Sequence, residues 1–295
     1  MSIASDTYCI QCVLKRNVEM ARSLGTEEQA TEYIKRVMKL MLEAPEGAPS
    51  PWYGPGITDL RCEMYGLEID RFHQEKLDSN RFVLERMDRI RELVETAPDP
   101  VFAALQFAIL GNYLDFSALQ GQVRFEELER MLQSALTMEL DRACYASLCR
   151  ELEAGKKLLY LTDNAGEIGF DRILGEQLQK RYPRLSITFC VRGAIAANDA
   201  TREDAAAVGI PFPVIDNGNR VAGTVPELLG PEAKQALETA DVVLAKGMGN
   251  AETLLGSGYP VYYAFLVKCT RFMNLFQKPM MTPMLIRETG AIPQR

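Results

Sequence analysis

The sequence predicts an α/β protein, a helical N-terminal domain packed on a mostly parallel sheet that is itself flanked by helices. Three observations predict it. Up to residue 154 the apolar positions recur at helical spacing between polar stretches. From Gly155 onward, short β-branched or apolar runs alternate with helical segments, as in parallel strands joined by right-handed crossovers. The chain has 295 residues, 47% hydrophobic and 25% charged, a globular balance with ample core for one large domain or two modest ones.

The elements follow in order. Asp6 is placed to cap a first helix that runs through Met20. Thr26 starts a second, with Gln29 at the capping-box position, and Val37, Met38, Met41 and Leu42 carry it toward Pro45. Residues 45–56, rich in Pro and Gly, read as a loop. A long polar helix is expected over residues 70–95, with Leu77, Leu84, Met87, Ile90 and Val94 turned inward. Asp99-Pro100 opens another helix that ends near Gly111, and two more lie between Phe125 and Leu152. The runs 158–162, 187–191, 212–216, 241–245 and 261–267 read as strands. The expected division is a helical domain over residues 1–154 and a Rossmann-like α/β domain over 155–295.

Composition removes several function classes. A net charge of −7 argues against a broad basic surface for nucleic acid. No apolar stretch is long enough to span a bilayer, and the N-terminus has no signal-type apolar run. With seven cysteines and no such signal, a cytoplasmic protein with reduced thiols is expected. His73 is the single histidine, so a His-rich zinc hydrolase site is excluded; its charged neighbourhood reads as a solvated helix face.

Three predicted strand ends carry unusual polar clusters. The first is Asp163-Asn164-Ala165-Gly166-Glu167, at the carboxyl end of a strand, where open α/β sheets place their ligands. The second is Asn198-Asp199-Ala200-Thr201, where Thr201 and Asp204 make a helix start and leave Asn198 and Asp199 in the loop. The third is Lys246-Gly247-Met248-Gly249-Asn250, whose glycines allow close backbone approach to a ligand. Asp163, Asn164 and Asp199 together supply hard oxygens for a divalent ion. Such an ion would polarise a phosphoryl oxygen and orient a water. Lys246, with the start of the helix at Gly166-Glu167, would neutralise charge on the phosphoryl group. Each cluster alone also reads as a helix cap or turn.

These three segments resemble the signature motifs of the damage-control phosphatase family, also called acidic-residue-methyltransferase-like and long known as a domain of unknown function. Tyr8-Cys9-Ile10-Gln11-Cys12 is similar to the CxxC opening of its microbial subgroup; Asp70, Lys76, Ser79 and Asn80 resemble a helical motif. Gly111-Asn112-Tyr113-Leu114-Asp115 is similar to the family's GNxxD, and Lys268-Cys269 to its last strand end. The resemblance implies metal-dependent hydrolysis of small phosphate esters, sugar phosphates or damaged phosphometabolites, with manganese, nickel, cobalt or magnesium as cofactor. Carried over by position, Asp163, Asn164 and Asp199 become metal ligands, and Asp163, Glu167 and Lys246 the catalytic set. Asn112, Asp115, Lys246, Gly247 and Asn250 become substrate contacts. One departure stands out: where the family has a Pro after the Asp of the helical motif, this chain has Arg71-Phe72.

Two other readings stay open. An S-adenosylmethionine-dependent carboxyl methyltransferase would want a glycine-rich turn after the first strand, where this chain has Asp163 and Asn164. A non-catalytic protein that binds a phosphorylated metabolite would take metal without turnover. Cys9 and Cys12, three apart on a helix, read as two thiols on one helix face, with metal or redox use as the alternative.

Overall fold

A reciprocal capping box between Thr26 and Gln29 starts α2 (Glu27–Leu42). Before it, the Asp6 carboxylate accepts from the Cys9 amide at 3.1 Å and starts α1 (Thr7–Leu24). Both caps satisfy amides that a helix leaves without partners in its first turn. The structure, a computed structural model, describes residues 3–115 and 123–288. Residues 45–56 are not wholly loop: a 3₁₀ turn at Ser50–Tyr53 leads into α3 (Gly54–Tyr65). Pro51 and Pro55 sit in first turns, where a missing amide proton costs nothing.

The single helix expected over 70–95 is two, α4 (His73–Leu84) and α5 (Met87–Glu95), divided by a turn at Glu85 and Arg86. Met87, Ile90 and Val94 are buried as expected, but Leu77 and Leu84 are exposed. The inward stripe of α4 is instead Lys76, Ser79, Asn80 and Val83. Apolarity misleads there because the buried face of α4 meets polar loops. Next come α6 (Pro100–Gly111), capped by Asp99 and buried from Val101 through Gly111, then α7 (Phe125–Ser134) and α8 (Arg142–Ala154).

The second half alternates as expected. It runs β1 (Lys157–Leu161), α9 (Glu167–Arg181), β2 (Ser186–Val191), α10 (Arg202–Ala207), β3 (Val214–Asp216), α11 (Pro231–Thr239), β4 (Val242–Lys246), α12 (Gly247–Leu254), β5 (Val261–Leu266), α13 (Thr270–Phe276) and β6 (Pro283–Arg287). The sheet order is β3-β2-β1-β4-β5-β6, with every pairing parallel except β5 with β6. The strand β6 escaped the sequence reading; it is an edge strand opened by Pro283.

Side chains alternate across the sheet. Leu158, Tyr160, Phe189 and Leu244 share one core with α5, α6 and α9, while Leu159, Leu161, Val243 and Phe265 pack on the α12 and α13 side. One continuous core therefore joins much of the helical half to the sheet, and a smaller cluster around Tyr33 and Val37 holds α1, α2 and α3. Strand order reverses between β1 and β4, the switch point where doubly wound sheets open a crevice at their carboxyl ends.

Candidate active site

The loop leaving β1 and the loop leaving β2 are stitched together at that crevice. Asn164 and Asp199 form an isolated antiparallel bridge, the Ala165 amide donates to the Asn198 carbonyl at 2.9 Å, and the Ala200 amide donates to the Asp163 carbonyl at 2.7 Å. Two loops distant in the chain are thus held side by side by backbone. Ala197, in the same loop, has a φ of 49°, a left-handed conformation that costs a residue with a Cβ about 1 kcal/mol or more.

Asp163, Asn164 and Asp199 all line one cavity of about 610 Å³, together with Asp115, Glu252 and Lys268. The Asp163 carboxylate accepts at Oδ2 from the amides of Asn112 (2.9 Å) and Asn164 (2.8 Å). The Asn164 carbonyl Oδ1 accepts from Asn198 at 2.8 Å, and Arg192 donates to Asp199 Oδ2 at 2.6 Å. Burial, and then the charges of Glu167 and Asp199, push the Asp163 carboxyl well above its ordinary range. Burial also pushes Asp199 up to about 6, although Arg192 pulls the other way.

These residues fit a divalent cation. Two carboxylates and an amide oxygen converge on a cavity wall, and the carboxylates repel one another where solvent cannot screen them. Among the described residues no group of three or more His, Cys, Asp or Glu side chains is placed to hold a metal ion, so a cation here would draw on the Asn164 amide oxygen as well as the two carboxylates.

The structure places Lys246 elsewhere than the sequence reading did. It is fully buried, and its ammonium donates to Glu167 at 2.9 Å, Asp171 at 2.7 Å and the Ala108 carbonyl at 2.8 Å. Burial alone would lower its pKa; Asp171 and Glu167 outweigh that and hold it above the ordinary lysine value. It does not line the cavity, where the sequence reading had expected a phosphate contact. Glu167, also fully buried, accepts from Asn164 (2.7 Å) and Asn112 (3.0 Å), so it positions both asparagines and does not line the cavity. Asn112 is likewise internal: it donates to Asp163 and Glu167 and accepts from the Leu266 amide. Asn250 donates to the Thr162 and Lys246 carbonyls and accepts from Thr224. Gly247 approaches Asp163, not a ligand: a Cβ there would stand 1.9 Å from Asp163 Oδ2. Of the expected substrate contacts, Asp115 is the one on the cavity wall.

Two lysines line the cavity, Lys15 on α1 and Lys268, which follows β5 and donates to Asp115 at 2.6 Å and to the Asn112 carbonyl at 2.7 Å. The strand-end rule that singled out Asp163 also points to Lys268, because β5 lies on the far side of the same switch point. Lys76, Ser79 and Asn80 do not reach the cavity either. Lys76 pairs with Asp204 at 2.9 Å, and Asn80 donates to Asp204 and accepts from the Gly166 amide at 2.7 Å. They clamp α4 onto the two loops that carry Asn164 and Asp199. His73 lies on an exposed helix start, where Asp70 is its partner.

Among the described residues no helix is long and apolar enough to cross a membrane. A family model described as the damage-control phosphatase ARMT1-like domain matches residues 5–282. A damage-control phosphatase of Archaeoglobus fulgidus is 31% identical over 272 residues, covering 88% of this chain and 91% of that one. An uncharacterised protein of Methanocaldococcus jannaschii is 30% identical over 282 residues, covering 91% and 90%. The crystal structure of a DUF89 family protein from Pyrococcus horikoshii superposes with a TM-score of 0.80 at 26% identity, covering 98% of this chain and all of that one. Motif order, sheet topology and these matches agree, and the chain belongs to the damage-control phosphatase ARMT1-like family.

Proposed function

We propose that the chain is a metal-dependent phosphatase that hydrolyses small phosphate esters, sugar phosphates or damaged phosphometabolites. Asp163, Asn164 and Asp199 would hold the divalent cation, manganese, nickel, cobalt or magnesium. The convergence of those three oxygen donors on the cavity that Lys268 also faces carries the reading. When bound, the ion supplies charge neutralisation at the phosphoryl oxygens. Lys268, anchored by Asp115, supplies a fixed cation for the same group and excludes the entropy cost of ordering a free side chain. Asn112 and Glu167 fix the rotamers of Asp163 and Asn164 from behind.

Water is the nucleophile in this reading, because Asp163 is boxed in. Its Oδ2 accepts two amide protons, and Gly247 packs against the whole carboxylate. A side chain held that tightly cannot swing to form a phosphoryl ester. The test is hydrolysis of p-nitrophenyl phosphate, abolished by EDTA and restored by manganese, nickel, cobalt or magnesium. Phosphate release that ignores chelation removes the reading, and oxygen-18 from water in the Asp163 carboxylate after one turnover removes the water step.

A further inference from the structure

The loops after β1 and β2 bring Asp163 and Asp199 to the cavity, and the helical half brings to the same cavity Arg61 on α3 and Arg71 in the turn before α4. Among the described residues neither arginine makes an ion pair or a side-chain hydrogen bond. The Arg61 Nε is buried with no partner at all. Burial, and then repulsion from Arg61, hold the Arg71 guanidinium below its ordinary value against the pull of Glu75. Two other guanidinium groups on the wall are in ion pairs, Arg220 with Asp59 and Arg271 with Asp6.

Scarcity of carboxylates does not explain this, since the chain has 40 acidic residues against 33 basic ones. Two guanidinium groups that repel each other on one concave wall, neither of them in an ion pair, make a place where an anionic ligand relieves the repulsion. Arg71 is also where the sequence departs from the Asp-Pro of the resembling helical motif, so this part of the cavity lining is a feature of this chain's own residues.

We propose that Arg61 and Arg71 form a second anion subsite, so that the preferred substrates are phosphate esters bearing a second anionic group, phosphate or carboxylate, away from the scissile phosphate. The proposal rests on the phosphatase reading for the acidic residues and on the place of Arg61 and Arg71 in the same cavity lining for the second anion. The planar guanidinium fork suits either anion through paired N–H donors. A substrate lying across the cavity then has its reacting phosphate at Asp163 and Asp199 and its second anion at the arginines, which fixes which end reacts.

Matched substrate pairs test it on the manganese-loaded protein: glucose 6-phosphate against glucose 1,6-bisphosphate, and glycerol 3-phosphate against 3-phosphoglycerate. The wild type prefers the second-anion member of a pair by about tenfold or more in kcat/KM, carried by KM, as one charge-assisted contact provides. The pair that shows it identifies the anion. The R61A/R71A variant brings that ratio to about one, and R71K retains part of it, a rescue that separates anion binding from misfolding. No preference in either wild-type pair, or a preference that survives in the double variant, overturns the subsite. If none of the four esters is hydrolysed, the phosphatase reading fails by itself. Calorimetric titration of the same pairs still decides the subsite: tighter second-anion ligands, weakened in R61A/R71A, uphold it, and equal affinities reject it.

Discussion

Replacing Gly247 with Ala adds one methyl group and tests how the metal ligands are held. The new Cβ would lie 1.9 Å from Asp163 Oδ2, 2.1 Å from Cγ and 2.6 Å from Oδ1. Ordinary contact needs about 3.2 Å or more, so the carboxylate must retreat by over ~1 Å. A metal site tolerates shifts of about 0.2 Å in its ligand distances. The backbone adds its own penalty, because φ at Gly247 is 79°, a region that costs an L-residue about 1–2 kcal/mol. With about 2.1 cal/mol/K per residue of unfolding entropy over 295 residues, that lowers Tm by about 2–3 °C. The variant therefore stays folded at 25 °C yet loses manganese affinity by about tenfold or more, and phosphatase activity with it. Calorimetric manganese titration beside a thermal melt reads both. Wild-type manganese affinity in G247A would refute the argument that Gly247 exists to let Asp163 sit where it does.

Two further outcomes follow from the buried charges. Lys246→Met leaves Glu167 and Asp171 buried without their cation, a loss of about 3–5 kcal/mol, so Tm falls by about 5–8 °C on the same entropy scale. A phosphate-contact role would instead give lost activity at an unchanged Tm. The Asp241 carboxylate accepts from the Lys156 and Lys157 amides at 2.8 and 2.9 Å, and those bonds hold its pKa below the ordinary aspartate value. A depressed folded pKa stabilises above the unfolded value and the gain is lost as pH falls through the folded one. Asp241→Ala should therefore melt below the wild type at pH 7, and the gap should close as pH falls through the lowered Asp241 pKa, below the ordinary aspartate range. A gap that persists at low pH would mean the loss lies in packing and not in the charged cap.

Much of this architecture was legible because its causes are local. Asp6, Thr26 with Gln29, and Asp99 with Pro100 announce helix starts through their own side chains, and the structure uses each of them. Asp163-Asn164 and Asp199 were legible because strand ends are where a parallel sheet presents its loops. Lys246 misled for a related reason. It does sit at a strand end, but its side chain runs under the sheet's rim to Asp171 one helical turn beyond Glu167, and no local pattern encodes that direction. Leu77 and Leu84 misled in the opposite sense, because α4 turns its polar stripe inward to hold Gly166 and Asp204. Both misses concern long-range polar contacts, which periodicity does not report.

A manganese-edge anomalous difference map from crystals soaked in manganese and inorganic phosphate tests the central claim directly. The account predicts one peak at about 2.0–2.4 Å from an oxygen of each of Asp163, Asn164 and Asp199, with phosphate between that peak and Lys268. No peak at those three side chains, or a peak that Asp199 does not touch, would contradict it.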